Sequence, residues 1–181
     1  DGCLYIVDMY RGIVQQGNWT KPGSYLRGVV DEYGFSKNVQ RGRIYRLVHE
    51  DFERDTTKPN MIGKKAADLV AHLEHPNGWW RDTAQKLIVL SGNQSVAPAL
   101  EKVANESKSD LARMHAIWSL EGIGSLTPEF ARIKMKDEHA SVRQAAIRAS
   151  ETLYKNGDTS LKADIAALTK DSDPNVVTQS L

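Results

Sequence analysis

The chain has 181 residues, 40% of them hydrophobic and 26% charged, with 24 Lys+Arg against 23 Asp+Glu. That length supports one or two compact units with a real core, and a net charge of +1 gives no electrostatic basis for binding nucleic acid or an anionic membrane. A single cysteine, Cys3, excludes an internal disulfide and a cysteine-based zinc site, and no apolar run approaches the roughly 20 residues of a membrane span.

The chain opens on Asp1-Gly2, a turn that leads into the β-forming run Leu4 to Val7. A second strand is expected over Arg43 to Val48, after the turn residue Gly42. The long connection between them carries Gly17, Pro22, Gly23, Gly28 and Gly34, and helical spacing of Tyr25, Leu26, Val29 and Val30 predicts a short helix over Tyr25 to Glu32. Two strands do not make a stable unit alone, so residues 1–50 need partners from elsewhere, either missing or supplied by the helices that follow. Residues 51–60 are charged, contain Pro59 and have no apolar periodicity, which reads as a linker.

From residue 61 to 181 the period becomes 3.6. Stripes follow one another: Ala66, Leu69, Val70 and Leu73, ended by His75-Pro76; Trp80, Ala84, Leu87 and Ile88, ended by Gly92; Val96, Leu100, Val103 and Ala104. Next come Ala112, Ala116, Ile117 and Leu120, closed by Gly122 and Gly124, then a helix capped by Thr127-Pro128 that runs through Phe130 and Ile133. The last stripes are Val142, Ala146, Ala149 and Leu153, then Leu161, Ile165 and Leu168, with Asp173-Pro174 opening a final helix. Both chain ends read as interruptions of a pattern, so the chain is expected to be a piece of a larger protein with its last repeat truncated.

The helices pair, and the second of each pair shares a signature. Trp80-Arg81, Ala112-Arg113 and Val142-Arg143 are each followed three residues later by a small residue. Arg81 to Arg113 is 32 residues, Arg113 to Arg143 is 30, and Val177 lies 34 further on. Self-similarity at this period marks a solenoid. An arginine near a helix N-terminus opposes the macrodipole, so it needs a partner, expected to be a carboxylate in the preceding turn such as Asp110 or Asp137. The runs Asp137 to Arg143 and Asp171 to Val177 resemble HEAT repeats, in which a turn aspartate and an inner-helix arginine form a ladder between neighbours. The fold class is therefore mainly α, a HEAT-like α-solenoid preceded by a short β segment.

Three segments together resemble a larger family: Asp1 to Gly12, Gly42 to Leu47, and His75-Pro76-Asn77-Gly78-Trp79-Trp80-Arg81-Asp82-Thr83-Ala84-Gln85. They look like the junction in bacterial membrane-bound dehydrogenases of the glucose/sorbosone dehydrogenase type, in which a quinoprotein-like β-propeller is followed by HEAT-like repeats and often by a c-type haem domain. The resemblance implies that residues 1–50 are the last part of a propeller, that the parent is extracytoplasmic or periplasmic, and that it uses pyrroloquinoline quinone with calcium. It also implies that the partners of this chain are the remaining propeller blades and a separate haem c domain. Asp8 is the one residue the resemblance places near a cofactor pocket rim. No Cys-x-x-Cys-His occurs, so no c-type haem attaches here.

No catalytic constellation is legible, and the chain is expected to be a scaffold rather than a self-sufficient enzyme; the alternative is a protein-interaction module that uses the concave face of the repeats, without a redox role. Asp8, Arg11, Arg41 and Arg43 sit at strand ends, as pocket residues or, more simply, as loop ion pairs. Trp80 is expected in the core and Trp79 at an interface. His72 and His75 are three apart, a spacing open to a metal pair but better explained by a helix C-terminus. His115 is expected to be exposed or hydrogen-bonded.

Overall fold

The computed structural model describes residues 3–14, 17–53 and 55–181; the Asp1-Gly2 turn lies outside them. The chain forms two compact units, residues 1–57 and 58–181. The fold is mainly helical, with a two-stranded antiparallel sheet near the N-terminus.

In the first unit, strand β1 (Leu4–Asp8) pairs with β2 (Arg43–Leu47) in the register Leu4↔Leu47 to Asp8↔Arg43. Helix α1 (Tyr25–Glu32) lies between them in sequence, over the span its apolar spacing predicts. Ser24 caps it by accepting from the Arg27 N–H at 3.2 Å, and Arg27 Nε donates to Thr20 O at 2.8 Å, tying the helix to the 3-10 turn Gly17–Thr20. Val30 and Thr20 are buried there. Both faces of the strand pair are open: Leu4, Ile6 and Val7 on β1 and Ile44 and Leu47 on β2 are all exposed. Two strands with uncovered apolar faces do not stand alone.

The second unit begins with helix α2 (Ala66–Val70), continued by a 3-10 turn through Glu74. Then follow α3 (Gly78–Ser91), α4 (Ala97–Glu106), α5 (Asp110–Gly122), α6 (Pro128–Lys134), α7 (Ala140–Lys155), α8 (Lys162–Leu168) and α9 (Pro174–Ser180). Their boundaries follow local chemistry. Asn77, Ser109, Thr127 and Asp173 cap α3, α5, α6 and α9 through side-chain oxygens. Proline sits in the first turn of α4, α6 and α9, where its missing N–H costs nothing. Gly92 ends α3 at φ 59°, a left-handed conformation that favours glycine.

Helices α3, α5, α7 and α9 pack in succession, and α2, α4, α6 and α8 pack on them one by one. One continuous core results, with Leu73, Ile88, Leu100, Ile117, Leu120, Val142 and Val176 at its centre. Each such side chain contributes about 1.5–3 kcal/mol of hydrophobic free energy. Close approach of the row is made by small residues. Ala84, Ala116 and Ala146, each three after its arginine, are fully buried. A Cβ at Gly122 would come within 2.5 Å of Val89 Cγ2, so α5 reaches α3 at a point where only glycine fits without a shift.

The helix expected through Phe130 and Ile133 is α6, but Ile133 does not join its buried face. It is exposed, while Ala131 and Lys134 on the same helix are buried. With only seven residues, α6 presents the face of Phe130, Ala131 and Lys134 to the core, and Ile133 falls outside that arc.

Trp80 is buried at 8% exposure, stacked on the His75 ring at 4.7 Å, whereas Trp79 is 54% exposed. Trp80→Ala should therefore destabilise by on the order of 3–5 kcal/mol, and Trp79→Ala by less than about 1 kcal/mol. Chemical denaturation of the two variants measures both; equal, small losses would mean that α3 buries a different face.

Candidate functional site

The residues that repeat along the chain converge on one arrangement, built three times. Six positions before Arg81, Arg113, Arg143 and Val177 stands a side chain that closes the turn. His75 Nδ1, Ser107 Oγ, Asp137 Oδ1 and Asp171 Oδ1 each accept a hydrogen bond from the backbone N–H two residues on, at 2.9–3.2 Å. Such local bonds fix the turn that leads into the following helix. The arginine then folds back onto the backbone of that turn. Arg81 Nη1 donates to His75 O and Pro76 O at 2.7 and 2.8 Å. Arg113 Nη1 donates to Ser107 O at 3.1 Å, and Arg143 Nη1 to Asp137 O and Glu138 O at 2.9 and 3.1 Å.

The other edge of the guanidinium reaches forward. Arg113 Nη2 lies 3.1 Å from Asp137 Oδ1, with side-chain exposures of 8% and 9%, and its Nη1 lies 3.4 Å from Glu138 Oε1. Arg143 grips Asp171 with two bonds, Nε to Oδ2 at 2.8 Å and Nη2 to Oδ1 at 2.7 Å. Two parallel charge-assisted bonds of this kind are the strong form of the interaction. The expected pairing is therefore corrected in direction. Arg113 and Arg143 each take a carboxylate from the turn that follows and only backbone carbonyls from the turn before. Asp110, expected as a partner of Arg113, instead accepts from Ser141 Oγ at 3.0 Å, linking α5 to the start of α7.

Arg81 breaks the series. Among the described residues no carboxylate pairs with it; its buried Nε has no hydrogen-bond partner, a feature it shares with Arg113. The reason is legible in the alignment of turns: the position that is Asp137 or Asp171 in the later repeats is Ser107 in this one.

The electrostatics follow the contacts. The Arg143 hydrogen bonds, with the Asp173 N–H, hold the Asp171 carboxyl below the usual carboxylate range, and Asp171 in turn raises Arg143. Burial pushes Asp110 up, but the Ser141 hydroxyl and the Leu111 N–H outweigh it and keep that group low. Similar links recur one repeat apart. Thr152 Oγ1 donates to Glu121 Oε1 at 2.6 Å, Arg132 Nε to Asp164 Oδ2 at 2.9 Å, and Lys134 Nζ to Ala104 O at 2.7 Å. Lys134 is a buried cation that the sequence reading missed. It satisfies a carbonyl in the last turn of α4 and lies 5.4 Å from the Phe130 ring centroid, and burial lowers its pKa. No local sequence signal marks it, because its acceptor lies 30 residues away.

His115, left open between exposed and hydrogen-bonded, is buried, with Nδ1 2.7 Å from Gln85 Oε1. His72 Nε2 faces Lys64 Nζ at 3.3 Å, and His75 Nδ1 is taken by the Asn77 N–H, so each ring already has a nitrogen engaged. In the first unit Asp8 ends β1 opposite Arg43, and its Oδ1 accepts from the Tyr10 N–H at 3.0 Å. Arg43 in turn donates to Tyr45 Oη and lies over the Tyr10 ring, while Arg11 and Arg41 are exposed. Tyr10 and Gln40 hold positive φ values of 32° and 61° beside this cluster. What the arrangement does there is local: a carboxylate, two aromatic rings and a guanidinium fix the end of the strand pair.

A family described as a domain of unknown function (DUF7133) matches residues 1–51, within the first unit. No curated protein matches the chain. Among the described residues no helix is long and apolar enough to cross a membrane.

Because Asp171 is held low in the fold, the folded chain binds fewer protons there than the unfolded one. Its contribution is present above the unfolded value of about 4 and is lost as pH falls through the lower folded value. Denaturation midpoints followed against pH should show this acid limb, and Arg143→Ala should lower the plateau and flatten the limb. A limb of unchanged steepness would mean that Arg143 does not set the Asp171 proton affinity.

Proposed function

We propose that residues 61–181 are a HEAT-like α-solenoid serving as a structural scaffold, the C-terminal part of a sugar or alcohol dehydrogenase whose catalysis is carried elsewhere in a larger protein. The observation that supports the solenoid most directly is the forward-reaching arginine, made by Arg113 to Asp137 and again by Arg143 to Asp171. In a stack each repeat leans on its neighbours, and its stability is a sum of repeat and interface contributions. A charge pair at equivalent points of two successive interfaces registers one helix pair on the next.

The first unit supports the second half of the reading. A strand pair with both apolar faces uncovered needs further strands, and a propeller blade supplies them. On this reading, pyrroloquinoline quinone and calcium bind to the propeller and haem c to its own domain, with Asp8 at the rim of the cofactor pocket and the whole exported to the periplasm. The helical unit then sets the distance between the redox centres or offers a docking face to a protein.

That last possibility, an interaction module without a redox role, is favoured by one feature of its own. Met114, Trp118, Gln144 and Arg148, from α5 and α7, with Gln179 from α9, line a shallow pocket of about 230 Å³. A tryptophan, a methionine and an arginine together are residue types enriched at protein interfaces.

The test is dye reduction driven by sugars and alcohols, with pyrroloquinoline quinone and calcium added to this chain and, separately, to the full-length protein. The reading predicts turnover by the full-length protein and none by the chain. Activity in neither would overturn the dehydrogenase assignment and leave the interaction module; activity in the chain alone would overturn the scaffold role.

A further inference from the structure

The junction between α3 and α5 is built differently from the two that follow it. At α5/α7 and α7/α9 an arginine meets a carboxylate of the next turn. At α3/α5 the acceptor position is Ser107, and Arg81 is left with backbone carbonyls only. A different polar contact crosses this junction. Gln85, four residues after Arg81, meets His115, two residues after Arg113, at 2.7 Å. The corresponding pair at α5/α7 is Ile117 and Ala145, both buried. One junction thus carries a titratable hydrogen bond where the next has apolar residues and an ion pair.

The chemistry of that bond sets its response to protons. Gln85 Oε1 accepts only, so His115 Nδ1 carries the hydrogen, and in the neutral ring Nε2 is bare. A proton added at Nε2 creates an imidazolium in a residue that is 8% exposed. Two charged groups bear on it, both from α3. Asp82 Oδ1 lies 3.8 Å from Nε2, beyond hydrogen-bond distance, on a side chain 75% exposed to screening solvent, and Arg81 opposes the new charge. Helices α4 and α7 and the turn at 71–74, which also pack on α5, contribute none of the charges acting on the ring.

We propose that the α3/α5 junction is a pH-sensitive joint, carrying the His115–Gln85 hydrogen bond in place of an arginine–carboxylate rung and loosened when the imidazole is protonated, because the Nδ1–H bond survives but a charge is then buried with no hydrogen-bonded counter-ion at Nε2. Burial, outweighing Asp82, holds His115 below the ordinary histidine value. The folded junction therefore binds fewer protons than the opened one. Its full strength is present above about pH 6.5 and is lost as pH falls through the lower folded value. Acidification frees α2 and α3 from the rest of the row while α7, α8 and α9 stay packed. This inference rests on the contacts at the two junctions and holds whether or not the parent is a dehydrogenase.

Native-state hydrogen exchange of the full chain at about pH 7.5 and about pH 5, corrected for intrinsic rates, tests it. The expected result is a loss of protection over residues 66–91 of about five-fold or more at the lower pH, with residues 140–180 changed by less than about two-fold. His72, in the same segment, is also held low by burial, so two variants assign the source. His115→Gln keeps an N–H for Gln85 and removes the titration; it should abolish the pH difference. Ser107→Asp places a carboxylate where Asp137 and Asp171 stand in the later repeats and should raise protection at both pH values while shrinking their ratio. Equal protection at the two pH values in the unaltered chain, or a difference that survives His115→Gln, would overturn the proposal.

Discussion

A guanidinium enclosed between two turns needs acceptors for its terminal N–H groups, and the helix starts of residues 58–181 are arranged around the Nη atoms of Arg81, Arg113 and Arg143. Arg113 and Arg143 each spend one edge on the carbonyls of the turn that begins their own helix and the other on the carboxylate of the next turn. The first contact holds the helix start at a fixed angle. The second fixes the distance to the neighbouring pair. Fully formed, such a pair contributes modestly to stability, because desolvation offsets much of the attraction; with one partner removed, it leaves a buried charge and costs far more. That asymmetry makes it a device for registering one repeat on the next. The alanines at Ala84, Ala116 and Ala146 and the glycine at Gly122 then allow the helices to approach, and the leucines and isoleucines fill the space between rows.

The variation of this device along the chain has consequences of its own. Two interfaces carry the ion pair and one does not, and a single residue, Ser107, makes the difference. Serine preserves the turn, because its hydroxyl accepts from the Ser109 N–H as an aspartate would. It gives up the charge that would engage Arg81. The interface without the ion pair is also the one crossed by the His115–Gln85 hydrogen bond. Stability within one fold need not be uniform, since packed segments can open locally.

Much of this was legible in the sequence because the determinants are local. Thr127-Pro128 and Asp173-Pro174 are helix starts by their own chemistry, Gly92 a helix end, and the apolar stripe of Trp80, Ala84 and Ile88 lands in the core as spaced. Helix α1 spans the residues its spacing predicts even though its glycine, Gly28, disfavours it. The direction of the arginine pairing was not legible. Asp110 and Asp137 lie closer in sequence to the arginines that follow them than Asp137 and Asp171 lie to the arginines they pair with. Only the stacking of one helix pair on the next brings residues 24 and 28 apart within reach. The buried Lys134 was hidden for the same reason, since nothing around it in sequence announces a carbonyl 30 residues away. Which face α6 buries was not legible, because a seven-residue helix has too few turns for its period to define one. In the first unit, the strands were recognisable from composition, but what covers their apolar faces is not written in residues 1–57.

The central claim is that Arg113 and Asp137 couple one repeat to the next, and a double-mutant cycle measures that coupling directly. Arg113→Ala, Asp137→Ala and the double variant are compared with the unaltered chain by chemical denaturation. The account predicts that each single variant costs about 2–4 kcal/mol and that the double variant costs well short of their sum, with a coupling of at least about 1.5 kcal/mol. Additive losses within about 0.5 kcal/mol would contradict it, and the ion pair would then be a consequence of the packing rather than its organiser.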